Sequence, residues 1–217
     1  FPDHIQFEAV TWGKLCRVSL PIPGGFTLYN ALATLGCGLA LGLELEEMAA
    51  SLARARGVKG RLEVVPVPAE FTVLIDYAHT PDALEKVLTA VKDFTPGRVI
   101  CLFGCGGDRE REKRPKMGAI AAALADYVVV TSDNPRTEDP MAILRDILAG
   151  MGESDTPRQV IPHRREAIAA ALALARPGDT VLLAGKGHET YQEVGEERLP
   201  LDEREVVADY FARRKGS

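Results

Sequence analysis

The chain has 217 residues, 46% of them hydrophobic and 26% charged, which is enough for one large or two small globular domains. Its net charge of -5 argues against a general nucleic-acid or membrane-surface binder, and no apolar run is long enough to span a bilayer. The four cysteines show no metal-ligand spacing. We therefore predict a cytoplasmic protein with reduced thiols that binds neither nucleic acid nor membrane.

The first part of the chain predicts a β-hairpin followed by two helices. Residues 5–10 and 15–20 are strand-like, and residues 29–41 predict a helix with Asn30 in its first turn. Residues 44–55 predict a second helix, because apolar side chains recur there at helical spacing. The chain starts at Phe1 inside a strand-like stretch, which predicts a fragment of a longer protein.

The pattern changes near residues 61–62, where we place a domain boundary, and strand-like and helix-like segments alternate beyond it. The predicted strands are residues 73–75, 99–103, 128–131, 159–161 and 180–184. The predicted helices are residues 82–91, 115–125, 141–148, 165–175 and 203–213. This alternation predicts an α/β domain with a mostly parallel sheet and helices on both faces, preceded by a partial α/β domain.

Four of the predicted strands end in unusual polar loops: residues 76–79, 104–109, 133–136 and 185–189. In a parallel sheet all four loops lie at one edge, where open α/β sheets bind ligands. Each loop alone has a simpler interpretation as an ordinary turn. Their coincidence favours a binding site.

Two of these loops imitate nucleotide-binding motifs without meeting their requirements. Residues 104–109 start like a dinucleotide fingerprint, but Arg109 stands where a third glycine is needed. Lys186 is followed by Gly187 and not by the Ser or Thr that a P-loop uses for magnesium. We therefore reject an NAD site and a triphosphate cradle. The glycine N–H groups beside Arg109 suit an anion, and a flexible glycine turn is the alternative.

Together, the polar side chains predict a pocket of mixed charge. Arg109 and Arg136 can bind a carboxylate, Asn134 can donate a hydrogen bond, and Glu189 can hold an ammonium group. Such a pocket fits a zwitterionic, amino-acid-like ligand. Asp76 could accept from ribose hydroxyls, whereas a lone histidine is more often a structural partner than a base.

The four motifs closely resemble those of the Mur ligase family, in particular the members that add meso-diaminopimelate. The motifs are Asp76-Tyr77-Ala78-His79-Thr80-Pro81, Gly104-Cys105-Gly106-Gly107-Asp108-Arg109, Asp133-Asn134-Pro135-Arg136 and Gly185-Lys186-Gly187-His188-Glu189. The resemblance implies that residues 1–61 are the end of the central ATP-binding domain. It implies that residues 62–217 are the complete, Rossmann-like C-terminal domain.

The resemblance further implies an ATP-dependent amide-bond ligase of peptidoglycan precursor synthesis. The dipeptide carboxylate of UDP-N-acetylmuramoyl-L-alanyl-D-glutamate would be phosphorylated, and the amine of meso-diaminopimelate would attack the acyl phosphate. ATP and Mg²⁺ would be bound mainly by a part of the central domain that this chain lacks. The fragment alone would then be inactive, and the enzyme would be a monomer.

The resemblance also assigns roles to residues. Arg109, Arg136 and Asn134 would hold the distal carboxylate of meso-diaminopimelate, and Gly185 and Glu189 its distal ammonium group. The substrate-binding set is Arg109, Asp133, Asn134, Pro135, Arg136, Gly185 and Glu189. The nucleotide-binding set is Asn30, Arg61, Asp76 and His79. A lysine-adding or folylpolyglutamate-type ligase of the same superfamily and a free-standing amino-acid-binding module are the alternatives, and Arg136 favours diaminopimelate.

Overall fold

A computed structural model describes residues 3–215, and the chain forms two compact units that divide between Val58 and Lys59. This division falls three residues before the boundary expected from the sequence. The reason lies in the second unit, where the Arg61 guanidinium stands 4.9 Å from the centre of the Tyr77 ring. The assignment of the two units to Mur ligase domains stays a prediction at this point.

The first unit is a hairpin with two helices. Its elements are β1 (Ile5–Thr11), β2 (Lys14–Leu20), α1 (Gly25–Ala40) and α2 (Leu45–Leu52). The hairpin is antiparallel as predicted, and its core joins Val18 to Leu35 and Leu45. Helix α1 starts four residues earlier than predicted, because Gly24 (φ 93°) turns the chain and the Thr27 hydroxyl donates to Pro23 O at 2.7 Å. The placement of Asn30 in the first helical turn was therefore wrong.

The second unit contains a six-stranded sheet. Its strands are β3 (Glu63–Val65), β4 (Thr72–Asp76), β5 (Val99–Phe103), β6 (Tyr127–Val130), β7 (Arg158–Val160) and β8 (Thr180–Ala184). Their order is β3-β4-β8-β5-β6-β7, and every pair except β3–β4 is parallel. All residues of β5 and β8 are buried, which is typical of a parallel sheet covered on both faces.

Helices cover both faces of this sheet. They are α3 (Pro81–Phe94), α4 (Lys113–Leu124), α5 (Pro140–Met151), α6 (Arg164–Leu174) and α7 (Glu203–Lys215). The apolar side chains of α3, α4 and α5 pack on one face, and those of α6 and α7 pack on the other. Thr80 caps α3 and Asp139 caps α5, each followed by a proline that needs no N–H partner. The predicted α/β architecture is confirmed.

Two features were absent from the prediction, namely the edge strand β3 and a second hairpin. The hairpin consists of β9 (Tyr191–Val194) and β10 (Glu197–Pro200). It has no buried apolar face that a sequence pattern could reveal, and β10 is exposed throughout. The hairpin is anchored by a short parallel bridge between Val194 and Arg136.

Buried arginines tie helix starts to the strand ends. The Arg114 side chain is fully buried and contacts both Glu138 oxygens at 2.8 and 3.0 Å, Asp146 at 2.9 Å and Gly106 O at 3.3 Å. Because Arg114 donates to it, the pKa of the Glu138 carboxyl falls to about 2. Arg114 thereby joins the loop after β5 to the loop after β6.

Arg164 at the start of α6 makes a similar connection. It contacts Glu203 at 2.8 Å and donates to Ser132 O and Ala184 O, which follow or end β6 and β8. Burial is the main cause that raises the pKa of the Glu203 carboxyl. Helices α6 and α7, which cover the same face of the sheet, are therefore held beside the carboxyl ends of its strands.

Among residues 3–215, none of the helices combines the length and apolar character that crossing a bilayer requires. All four cysteines are free thiols.

Replacing Leu182 by alanine should lower the free energy of unfolding by about 2–5 kcal/mol, because this side chain is fully buried in central strand β8. Urea denaturation followed by circular dichroism measures the change. The matched control is Leu199→Ala on exposed strand β10, where a change below about 0.5 kcal/mol is expected. Equal losses in the two variants would contradict the described sheet.

Glu138→Gln should remove a pH-dependent part of the stability. The folded pKa of Glu138 is about 2 and its ordinary value is 4.5, so its contribution is complete above about pH 4.5 and disappears as the pH falls toward 2. The difference in unfolding free energy between wild type and Glu138→Gln should therefore be largest near neutral pH and shrink below about pH 4.5. Denaturation at several pH values tests this, with exposed Glu196→Gln as the control. A difference for Glu138→Gln that stays constant with pH would refute the Arg114–Glu138 pair.

Candidate functional site

The loops that follow β4, β5, β6 and β8 meet at the carboxyl edge of the sheet, as the sequence predicts. They surround a cavity of about 320 Å³. Its lining includes seven polar or charged side chains of interest: His79, Arg109, Glu110, Lys113, Asn134, Arg136 and Glu189. Tyr77, Thr80, Gly106, Asp133 and Gly185 complete the wall.

The two arginines predicted to bind a carboxylate line the same cavity. Arg136 adopts a positive φ of 50°, and its Nε and Nη1 atoms are held at 2.9 Å by Glu193 Oε2 and by Gly107 O. Arg109 is exposed, and its Nη1 atom donates to Asp108 O at 3.2 Å. The guanidinium of Arg136 is thus fixed from behind, whereas that of Arg109 is free to adjust to a ligand.

The glycine loop and the Asn-Pro-Arg loop are bonded to each other. Gly107 N–H donates to Asn134 O at 2.8 Å, and Asp108 N–H donates to Glu138 at 2.7 Å. The Asp108 carboxylate accepts from the Thr137 hydroxyl at 2.8 Å. The expectation that the glycine N–H groups of this loop are free for an anion is therefore wrong for Gly107, whose N–H group, like that of Asp108, holds the neighbouring loop.

Lys186 is a central member of the site that the sequence analysis missed. Its side chain is fully buried, and Nζ donates to Asn134 Oδ1 and to Glu189 Oε2 at 3.1 Å. The Asp133 carboxylate lies 3.4 Å from the same nitrogen. The sequence analysis excluded a P-loop role for Lys186 and assigned no other role to this residue. The available signal was a lysine directly after a buried strand, close to two acidic loops.

Asn134 and Glu189 are oriented by this network. The Asn134 amide nitrogen donates to Glu189 Oε2 at 3.0 Å, and its oxygen accepts from Glu193 N–H at 3.0 Å as well as from Lys186. Two donors and one acceptor therefore fix which way the amide points. Glu189 Oε2 is fully engaged, and Oε1 has no hydrogen-bond partner within the described part of the chain.

The backbone of three other predicted residues shapes the cavity wall. Gly185 has a φ of 111°, and a Cβ atom there would lie 2.7 Å from Asp133 Oδ2, so a side chain would be strained and would displace Asp133. Asp133 is buried, and its carbonyl accepts from Gln192 at 2.6 Å. The Pro135 carbonyl packs closely against Gly107 and accepts from Glu138 N–H at 3.1 Å.

The residues predicted to bind nucleotide occupy different environments. Asp76 is buried, and its two oxygens accept at 2.8 Å from the N–H groups of Leu62 and Ala78. Burial raises the pKa of the Asp76 carboxyl. His79 lines the cavity, with Nδ1 2.8 Å from Tyr77 O.

Arg61 is exposed over the Tyr77 ring in the second unit, and Asn30 is exposed on α1 of the first unit. No further contact is recorded for either side chain within residues 3–215. The nucleotide roles of Asn30, Arg61, Asp76 and His79 stay predictions.

The cavity can bind a ligand that carries both charges. Its cations are Arg109, Lys113 and Arg136, and its anions are Glu110, Asp133 and Glu189. Across residues 3–215 no group of three His, Cys, Asp or Glu side chains is arranged to hold a metal ion. The opposite charges of the lining suit recognition of carboxylate and ammonium groups.

Two curated relatives and one solved structure share a name. The sequence is 55% identical over 196 residues to the UDP-N-acetylmuramoyl-L-alanyl-D-glutamate--2,6-diaminopimelate ligase of Thermosynechococcus vestitus, covering 89% of this chain and 39% of that protein. It is 49% identical over 215 residues to the ligase of the same name from Gloeobacter violaceus, covering 99% and 44%. A solved structure of such a ligase superposes with a TM-score of 0.79 at 37% identity, covering 98% of this chain and 43% of that one.

The chain thus spans 39% and 44% of the length of these two curated relatives. The sequence profile of the family described as "Mur ligase, glutamate ligase domain" matches residues 60–187, which is more than half of the chain and includes the first three polar loops and the start of the fourth. The chain belongs to the Mur ligase family.

Proposed function

We propose that this chain is part of an ATP-dependent ligase that adds meso-diaminopimelate to UDP-N-acetylmuramoyl-L-alanyl-D-glutamate in peptidoglycan precursor synthesis. The names of its relatives support the substrates. The single observation that carries the proposal is that Arg109, Arg136 and Glu189 line one cavity at the carboxyl edge of the sheet. This cavity would bind the amino acid.

Both distal groups of the ligand have partners in the cavity. The Nη atoms of Arg136 and the mobile guanidinium of Arg109 bind the distal carboxylate, and the second Asn134 amide hydrogen donates to it. Glu189 Oε1 and the Gly185 carbonyl accept from the distal ammonium group. Because Glu193 and Gly107 already hold Arg136, little side-chain entropy is lost when the ligand binds.

This arrangement discriminates against lysine for a physical reason. Lysine lacks the distal carboxylate, so its binding leaves the Arg136 and Asn134 donors without an acceptor from the ligand. Sites built to hydrogen-bond a substrate group reject the analogue that lacks it by roughly 10⁴-fold. A lysine-adding ligase would gain nothing from Arg136, which favours diaminopimelate as the amino acid added.

The remaining parts of the reaction belong to the longer enzyme. In this proposal residues 1–61 end the central ATP-binding domain, residues 62–217 form the C-terminal domain, and Asn30, Arg61, Asp76 and His79 contact the nucleotide. The described residues do not fit a Mg²⁺ site, so we assign Mg²⁺ to no side chain of this chain. The enzyme would act as a cytoplasmic monomer.

The full-length ligase should release phosphate from ATP only when the UDP-dipeptide and meso-diaminopimelate are both present. Arg136→Ala should lower kcat/KM for meso-diaminopimelate by roughly 10- to 100-fold, because one or two charge-assisted hydrogen bonds are lost. Coupled phosphate-release kinetics with meso-diaminopimelate and with lysine measure both effects.

The matched control is Arg176→Ala, since Arg176 is exposed beside the amino end of β8, at the opposite edge of the sheet. It should leave kcat/KM unchanged. Equal turnover of lysine and meso-diaminopimelate by wild type would favour a lysine-adding enzyme instead. Amino-acid binding without any ATP turnover by the full-length protein would favour a binding module.

A further inference from the structure

The buried ammonium of Lys186 has no role in the ligand contacts described above, yet it touches three residues of the site. Its acceptors are Asn134 Oδ1, Glu189 Oε2 and, at 3.4 Å, Asp133 Oδ1. A fully buried ammonium is costly unless its partners compensate it.

The charge balance of the cavity depends on Lys186. The lining carries three cations and three anions, as given above. Behind the lining, Lys186 adds a positive charge against Glu189 and Asp133, and Glu193 adds a negative charge against Arg136. Glu193 is also paired with Arg198 at 2.9 Å, so its charge is shared between two arginines. Removing Lys186 makes the surroundings of Glu189 and Asp133 more negative by one charge.

The two amino acids that the site must distinguish differ by one charge. Meso-diaminopimelate has two carboxylates and two ammonium groups and is neutral, whereas lysine has a single carboxylate and a net positive charge. Removing the positive charge of Lys186 makes the cavity more negative by one charge, which favours the cation lysine over the neutral meso-diaminopimelate. Lys186 is fully buried, so its charge is screened less than a charge at the surface.

We propose that Lys186 is a positioning and specificity-determining residue, which holds Glu189 and Asn134 in place and offsets the negative charges of Glu189 and Asp133 so that lysine is disfavoured. This inference rests on the proposed function. Lys186 acts through Glu189, Asn134 and the field in the cavity, and it does not touch the reacting atoms. A purely structural lysine would affect stability and leave the preference between the two amino acids unchanged.

The test is the ratio of kcat/KM for meso-diaminopimelate to kcat/KM for lysine in the full-length enzyme. Lys186→Met should lower this ratio on the order of tenfold, as expected for one charge–charge interaction at an effective dielectric constant near 20. Lys186→Arg keeps the charge and should retain most of the ratio. The melting temperature of each variant is measured in parallel.

Arg98→Met is the matched control, because Arg98 makes a partly buried ion pair with Asp179 at 2.6 Å beside the amino ends of β5 and β8, away from the cavity. It should lower the melting temperature and leave the ratio unchanged. If Lys186→Met does not fold, the double variant Glu189→Gln/Lys186→Met is made instead. It leaves one fewer buried carboxylate without a partner when the lysine is removed. The ratio should again fall about tenfold relative to Glu189→Gln alone.

The inference is overturned if the Lys186→Met substitution changes the ratio by less than about twofold, either relative to wild type or, in the double variant, relative to Glu189→Gln. A wild-type enzyme that turns over both amino acids equally overturns the proposed function and this inference together. A selective wild type with an unchanged Lys186→Met variant overturns the inference alone.

Discussion

The site depends on the parallel pairing of β4, β8, β5 and β6, which brings the ends of four strands to one edge of a sheet. The loops that follow these strands are distant in sequence, and they meet because every strand in this group runs in the same direction. Strands β5 and β8 are buried along their whole length, so the register of the pairing is strongly fixed. The positions of Arg109, Arg136 and Glu189 follow from this constraint.

Direct bonds between neighbouring loops add a second level of order. The N–H groups of Gly107 and Asp108 donate to the Asn134 carbonyl and to the Glu138 carboxylate. Arg114 donates to the same Glu138 carboxylate. A guanidinium that is already held loses less freedom when a carboxylate arrives, which is the physical content of preorganisation. The β9–β10 hairpin also preorganises the site, because its Glu193 carboxylate holds the Arg136 guanidinium.

Buried charge at this edge carries a free-energy cost. Arg114 Nε and Glu203 Oε2 are buried without a hydrogen-bond partner among the described residues. Burying ions is expensive, and well-packed apolar side chains often stabilise a core as much. The charges concentrate beside the strand ends that form the cavity, which suggests that they are retained for the geometry and electrostatics of the site and not for stability alone.

The sequence was sufficient for most of the architecture of the second unit, for definite reasons. Strands β5 and β8 are continuous apolar runs bounded by turn formers, and their limits were predicted to the residue. The caps Thr80 and Asp139 are local signals that need no tertiary information. The start of α1 was missed because its first turn contains glycine, and its hydrogen bond to Pro23 does not show in a pattern.

What the sequence by itself determined is therefore local: the strands and helices, the polar loops at strand ends, and the residue types that can recognise a doubly charged amino acid. Only the tertiary structure decided how those groups are supported. It placed the ammonium of Lys186 among three site residues and put Glu193 behind Arg136. It also directed the N–H groups of Gly107 and Asp108 to the loop that follows β6. Each of these contacts joins residues from different strands or from a hairpin without an apolar face, and periodicity along a chain carries no information about such pairs.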